Sequence, residues 1–141
     1  MPLQSPTTLE TRIGQILFAG FDGLEAPDYI LDWLRAGQLG GIILFARNVE
    51  SPRQLAALTD SLPAAAPYGA LISIDQEGGT VARLRKGFSE SPGAMALASA
   101  RDSERWVEQM SRMLALESRA HGILWDYAPV VASTYNAANP S

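Results

Sequence analysis

The sequence predicts an α/β fold made of parallel strand–helix units. Three features carry that expectation. Short, β-branched apolar runs alternate with longer stretches of helical periodicity, and no tight hairpin signal joins one run to the next. Apolar residues make up 47% of the chain and charged residues only 18%, as suits a sheet covered on both faces or a surface meant for a partner. At 141 residues, one domain with its own core is the expectation.

The elements follow in order. Residues 1–8, with Pro2 and Pro6, read as a loose leader preceding a single unit over residues 9–141. Leu9 to Gln15 forms a short helix that runs into a first strand, Ile16 to Phe21, stopped by Asp22-Gly23. Pro27 fits a first helical position, and Ile30, Leu31, Trp33 and Leu34 give that helix one apolar face. Gly37 and the pair Gly40-Gly41 end it and lead into a second strand, Ile42 to Phe45. Ser51-Pro52 is a helix start, with a hydroxyl at the cap and proline next. Leu55, Leu58 and Leu62 follow at helical spacing until Pro63. The third strand is Leu71 to Ile74. Asp102 then caps a long helix ending near Gly122, whose buried stripe is Trp106, Val107, Met110, Met113 and Leu114. Ile123 to Val131 is a fourth strand, followed by an irregular tail.

Composition excludes several functions. A net charge of −4 and an isoelectric point near 4.9 argue against a nucleic-acid footprint. There is no cysteine, hence no disulfide framework or thiolate zinc site, and His121 is the only histidine. No cofactor is expected. Met1 to Thr8 lacks the blocks of a signal peptide, and no apolar run approaches membrane-spanning length. The default expectation is a cytoplasmic protein without membrane contact.

The most informative segment is Ile74-Asp75-Gln76-Glu77-Gly78-Gly79-Thr80-Val81-Ala82-Arg83-Leu84. A buried strand ends there in two carboxylates and a glycine pair, which allows close backbone approach to a ligand. Charge at such a position costs desolvation unless it is paired. Two readings stand together: a polar ligand site, or a turn whose Asp75 or Glu77 caps the chain or pairs with Arg83 or Arg85.

Read with Gly40-Gly41-Ile42-Ile43-Leu44-Phe45-Ala46-Arg47-Asn48, this segment resembles the amino-terminal domain of the family 3 glycoside hydrolases. Within that family the likeness is to the bacterial β-N-acetylhexosaminidase branch, with its GGxILFxRN strand and DQEGGxVxR loop. Ser91-Pro92-Gly93-Ala94-Met95-Ala96 and Glu117 to Pro129 resemble two further family runs in the same order. The resemblance spans roughly residues 9 to 140. It favours a TIM-type (β/α)8 barrel over the open doubly wound sheet that periodicity alone leaves in play. The first loop also lacks the GxGxxG of a dinucleotide fold. A whole barrel takes about 250 residues, so this chain provides for roughly its first half.

The resemblance also implies roles. Asp75 corresponds to the family aspartate that accepts hydrogen bonds from sugar hydroxyls, and Arg83, eight residues on, to an arginine that contacts the same sugar. Glu77, Gly78 and Gly79 shape the loop. Arg47 and Asn48 hold neighbouring loops, and Asp22 is a weaker candidate. No residue here is expected to be catalytic. A retaining glycosidase needs one group to attack and one to protonate, and the family's KHFPGHG-like loop and late nucleophilic aspartate have no counterpart in these residues. His121 reads as a helix-terminal histidine. Thr80 and Ala82 replace the usual Arg and Gln of the loop, and Ala132 replaces an aspartate.

The implied function is hydrolysis of terminal N-acetylglucosamine from glycosides such as cell-wall fragments, the chain itself holding only part of the sugar subsite. The alternative is a non-catalytic half-barrel that binds sugar or assembles with another chain. An open-sheet nucleotide-binding domain is a third, weaker reading. A half-barrel also exposes its first and last strands, so self-association through unpaired edges is expected.

Overall fold

A computed structural model describes residues 5–130. Helix α1 (Leu9–Gly14) leads into β1 (Phe18–Ala19), then α2 (Asp28–Arg35), β2 (Gly41–Leu44) and a 3-10 turn at Ala46–Asn48. Helix α3 (Pro52–Ala65) and β3 (Leu71–Ile74) follow, then a hairpin of β4 (Gln76–Gly78) and β5 (Val81–Ala82). Helices α4 (Ala94–Ala98) and α5 (Ser103–Ala120) precede the last strand, β6 (Trp125–Asp126).

Strands β1, β2, β3 and β6 form one sheet in that order, every pair parallel. The order never reverses. A doubly wound sheet has a point where it does, whereas a barrel adds each strand beside the last. The expected α/β fold and its barrel-like winding are both present. The register sets Leu44 beside Ile74 and Ile74 beside Asp126, so three strands end at one level.

The core lies between this sheet and helices α2 and α3. Ile42 and Leu44 from β2 and Ile72 and Ile74 from β3 meet Ile30, Leu34, Leu55, Leu58 and Leu62. The period-2 alternation of the strands and the helical spacing of the leucines converge on the same layer. Ser51 caps α3 by accepting from Gln54 N at 3.2 Å, as its sequence predicts. The opposite face of the sheet carries the rings of Phe18 and Trp125, the latter about half exposed. The ring of Phe18 lies across Gly41, where a Cβ would come within 2.3 Å of it. It also meets Trp125 edge-on, with centroids 6.4 Å apart.

Several expectations need correction. The Asp75–Arg83 segment does contain a tight antiparallel hairpin, with Gly78 and Gly79 at positive φ; the glycine pair is a hairpin signal in its own right. Pro27 is the N-cap of α2 rather than its first residue. Pro63 does not end α3, which continues to Ala65; the carbonyl that loses its partner is already in the last turns. Asp102 precedes α5 in a left-handed conformation and makes no side-chain cap bond. On α5 the expected stripe is not buried: Trp106 and Val107 are exposed, and among its apolar residues only Leu114 is buried. The fourth strand is shorter than its apolar run, with pairing confined to Trp125 and Asp126. Val131 and Ala132 lie outside the described residues.

Candidate sugar-binding site

The site is assembled where β2, β3 and β6 end. Asp75 directly follows β3, and the hairpin folds back so that Arg83 returns beside it. Arg83 Nη2 lies 3.0 Å from Asp75 Oδ2, with both side chains about a quarter exposed (27% and 22%). The structure thus brings together the two residues that the sequence singles out. Arg83 Nε is buried and has no hydrogen-bond partner among the described residues. Arg85 pairs with Glu90 at 2.7 Å and donates to Gly79 O at 2.9 Å, so it braces the outside of the hairpin.

The hairpin is pinned by Gln76, which is fully buried. Its Oε1 accepts from Arg83 N at 2.8 Å and Leu84 N at 2.9 Å, and its Nε2 donates to Leu84 O at 3.1 Å. A buried amide of this kind must satisfy its groups, and one rotamer of Gln76 does so while fixing where Arg83 leaves the hairpin. The glycines serve the same packing. A Cβ on Gly78 would meet Ser91 at 2.9 Å, and Gly79 N donates to Ser91 O at 2.8 Å. Close approach here is between two segments of this chain.

Asp126, at the end of β6, is a site residue that the sequence reading passed over. Its Oδ1 accepts from Gln76 N at 2.8 Å. Burial raises its pKa above the ordinary aspartate range; the Gln76 N–H opposes that shift and the negative charge of Asp75 adds to it. The available signal was positional, since residues at the carboxyl ends of barrel strands face the functional end of the fold. Phe45, at the end of β2, was passed over too. The guanidinium of Arg47 sits 4.6 Å and that of Arg83 5.7 Å from its ring centroid, within cation–π range.

Arg47 and Asn48 hold loops, as expected. Asn48 is completely buried; its Nδ2 donates to Phe21 O and Gly23 O, and its Oδ1 accepts from Phe45 N. Arg47 donates to Phe21 O and pairs with Asp22, whose side chain is otherwise exposed. His121 ends α5, with Nδ1 2.9 Å from Glu117 O and its ring edge-on to Phe88. That placement is structural. Among the described residues, no group of three or more His, Cys, Asp and Glu side chains could hold a metal ion. No helix among them is long and apolar enough to cross a membrane.

Chemically, the pair offers a carboxylate acceptor beside a guanidinium donor. Arg83 commits Nη2 to Asp75, while a guanidinium carries five N–H donors in all. Neighbouring hydroxyls of a sugar ring, each both donor and acceptor, match that arrangement.

Comparisons with known proteins identify the family. The family model described as "Glycosyl hydrolase family 3 N terminal domain" matches residues 8–141. A β-hexosaminidase from Methylobacillus flagellatus is 42% identical over 118 residues, covering 80% of this chain and 34% of that protein. The chain spans about a third of the length of the curated relatives it matches. Among solved structures, a family 3 β-N-acetylglucosaminidase from Paenibacillus sp. superposes with a TM-score of 0.82 at 41% identity, covering 88% of this chain and 24% of that one. NagZ from Neisseria gonorrhoeae, solved in complex with N-trifluoroacetyl-D-glucosamine, gives 0.73 at 32% identity, covering 80% of this chain and 35% of that one. The chain therefore belongs to glycosyl hydrolase family 3, as part of its N-terminal (β/α)8-barrel domain.

Proposed function

We propose that these residues form part of the sugar-binding subsite of a β-N-acetylhexosaminidase acting on terminal N-acetylglucosamine, in glycosides such as cell-wall fragments. The observation that carries this reading is the Asp75–Arg83 pair, 3.0 Å apart and partly exposed at the carboxyl end of β3. Asp75 accepts from sugar hydroxyls and Arg83 donates to the ring's oxygens. In support, several relatives at 36–42% identity are named β-hexosaminidases. The acid/base loop and the nucleophile of the family have no counterpart in these 141 residues, so on this reading the chain alone binds but does not turn over.

The test uses the 141-residue chain. N-acetylglucosamine should bind in the millimolar range, at about −4 kcal/mol or weaker. Amide shifts should centre on residues 75–83 and vanish in Asp75→Asn. A chromogenic β-N-acetylglucosaminide should not be cleaved above buffer background. Shifts scattered away from the hairpin would overturn the binding assignment, and cleavage that disappears in Asp75→Ala would overturn the inactivity.

A second reading, a non-catalytic module that assembles with a further chain, is favoured by one observation. Leu124, Trp125 and Tyr127, in and next to β6, are 66%, 49% and 43% exposed. Apolar surface next to a strand edge unpaired among the described residues invites another chain to pair there. On this reading the 141-residue chain self-associates.

A further inference from the structure

We propose that Asp126 is a positioning residue for the sugar subsite: through Gln76 it fixes the Asp75–Arg83 pair in its binding geometry. The inference rests on the subsite reading above and adds a residue to which the sequence alone assigned no role.

The connections run through one residue. Gln76 N donates to Asp126 Oδ1 at 2.8 Å, tying the chain immediately after Asp75 to the neighbouring strand. The Gln76 side chain reaches the other way, to Arg83 N and to both backbone groups of Leu84. Asp75 directly precedes the anchored Gln76, Arg83 is itself held through its backbone N–H, and Asp126 is the anchor outside the hairpin. The parallel register seats Asp126 beside Ile74, and Tyr127 N donates to Ile74 O at 3.0 Å, so the anchor sits on a strand already fixed to β3. A hydrogen bond to an ionised acceptor is stronger than a neutral one, so a carboxylate suits this task. The placement is also costly, because Asp126 is half-buried and close to a second carboxylate. A residue whose only task was to finish the strand would not need the charge.

The experiment compares the 141-residue chain with Asp126→Ala and Asp126→Asn by nuclear magnetic resonance. Without sugar, Asp126→Ala should speed exchange of the Gln76 amide at least ten-fold while leaving Ile72 unchanged. It should also average the distinct guanidinium resonances of Arg83. Asp126→Asn keeps a weaker, neutral acceptor and should fall between the wild type and the alanine variant in both readouts. This variant carries the test alone if the alanine variant does not fold. With N-acetylglucosamine as the probe, affinity should drop at least five-fold in Asp126→Ala and recover at least partly in Asp126→Asn.

A Gln76 amide indifferent to both substitutions overturns the proposal. So does a loosened Gln76 with Arg83 and sugar affinity unchanged, which makes Asp126 a tie of the fold only. A wild-type chain whose Arg83 responds to Asp126 but which binds no sugar leaves the positioning intact and defeats the subsite reading instead.

Discussion

Strands β3 and β6 lie side by side in one parallel sheet, yet they treat their apolar residues in opposite ways. Ile72 and Ile74 of β3 are 1% and 0% exposed, whereas Trp125 of β6 and its neighbour Leu124 are 49% and 66% exposed. All four residues are apolar; what differs most is cover. One face of β3 packs on the leucines of α3 and the isoleucine and leucine of α2, and its two edges are paired on both sides. Helix α5, which precedes β6 in the chain, buries only Leu114 and Ser118. Hydrophobicity states how much is gained by burial, and the neighbouring elements decide whether the gain is realised.

The strongest way to break this comparison is to truncate one residue from each region. Ile72→Ala should cost about 3–4 kcal/mol, since it leaves a cavity in a layer that cannot collapse. Trp125→Ala should cost less, about 1–2 kcal/mol in the same chain, because half of that side chain is already in water. Urea unfolding measures both, and equal losses would mean that the open face is as structured as the covered one.

A polar counterpart sharpens the same contrast. Asn48→Ala removes bonds to Phe21 O, Gly23 O and Phe45 N from a fully buried position. The expected loss is roughly 2–3 kcal/mol, most of it the penalty of stranding buried backbone groups. A loss under about 0.5 kcal/mol would show that the loop after β1 does not depend on Asn48.

The open side is tested by charge. If Leu124 and Trp125 draw a second chain onto the outer strand, Leu124→Lys with Trp125→Lys should shift light scattering at micromolar concentration from dimer or larger to monomer. The loss of unfolding free energy should stay below that of Ile72→Ala, since both side chains are about half or more in solvent. A wild-type chain that is already monomeric at that concentration excludes association through this edge.

The smallest effect is a pH dependence at Asp126, which faces Asp75 with its Arg83 partner and the Gln76 N–H. Its folded pKa is raised above 3.8, so the folded state holds the proton more tightly than the unfolded state does. This contribution to stability is fully present below 3.8 and is lost as pH rises through the raised folded value. Asp126→Asn should flatten the acid end of the stability profile in that window. An unchanged profile would place the titration elsewhere.

Local chemistry is what the sequence determined by itself. The β-branched run at Ile72 to Ile74, the Ser51-Pro52 start of α3, the leucines at helical spacing and the Asp75–Arg83 motif are each carried by residues close together in the chain. Tertiary structure decided what depends on distant neighbours. The apolar stripe read on α5 presumed a cover that the described residues do not supply, so Trp106 and Val107 face solvent. The fourth strand is shorter than its apolar run because only Trp125 and Asp126 stand in register with β3, their backbone bonds reaching no further than Leu124 and Tyr127 among the described residues. Asp126 stayed illegible for the same reason. It stands 50 residues from Gln76, and only the parallel register, set by backbone hydrogen bonding between strands, brings its carboxylate to the residue after Asp75.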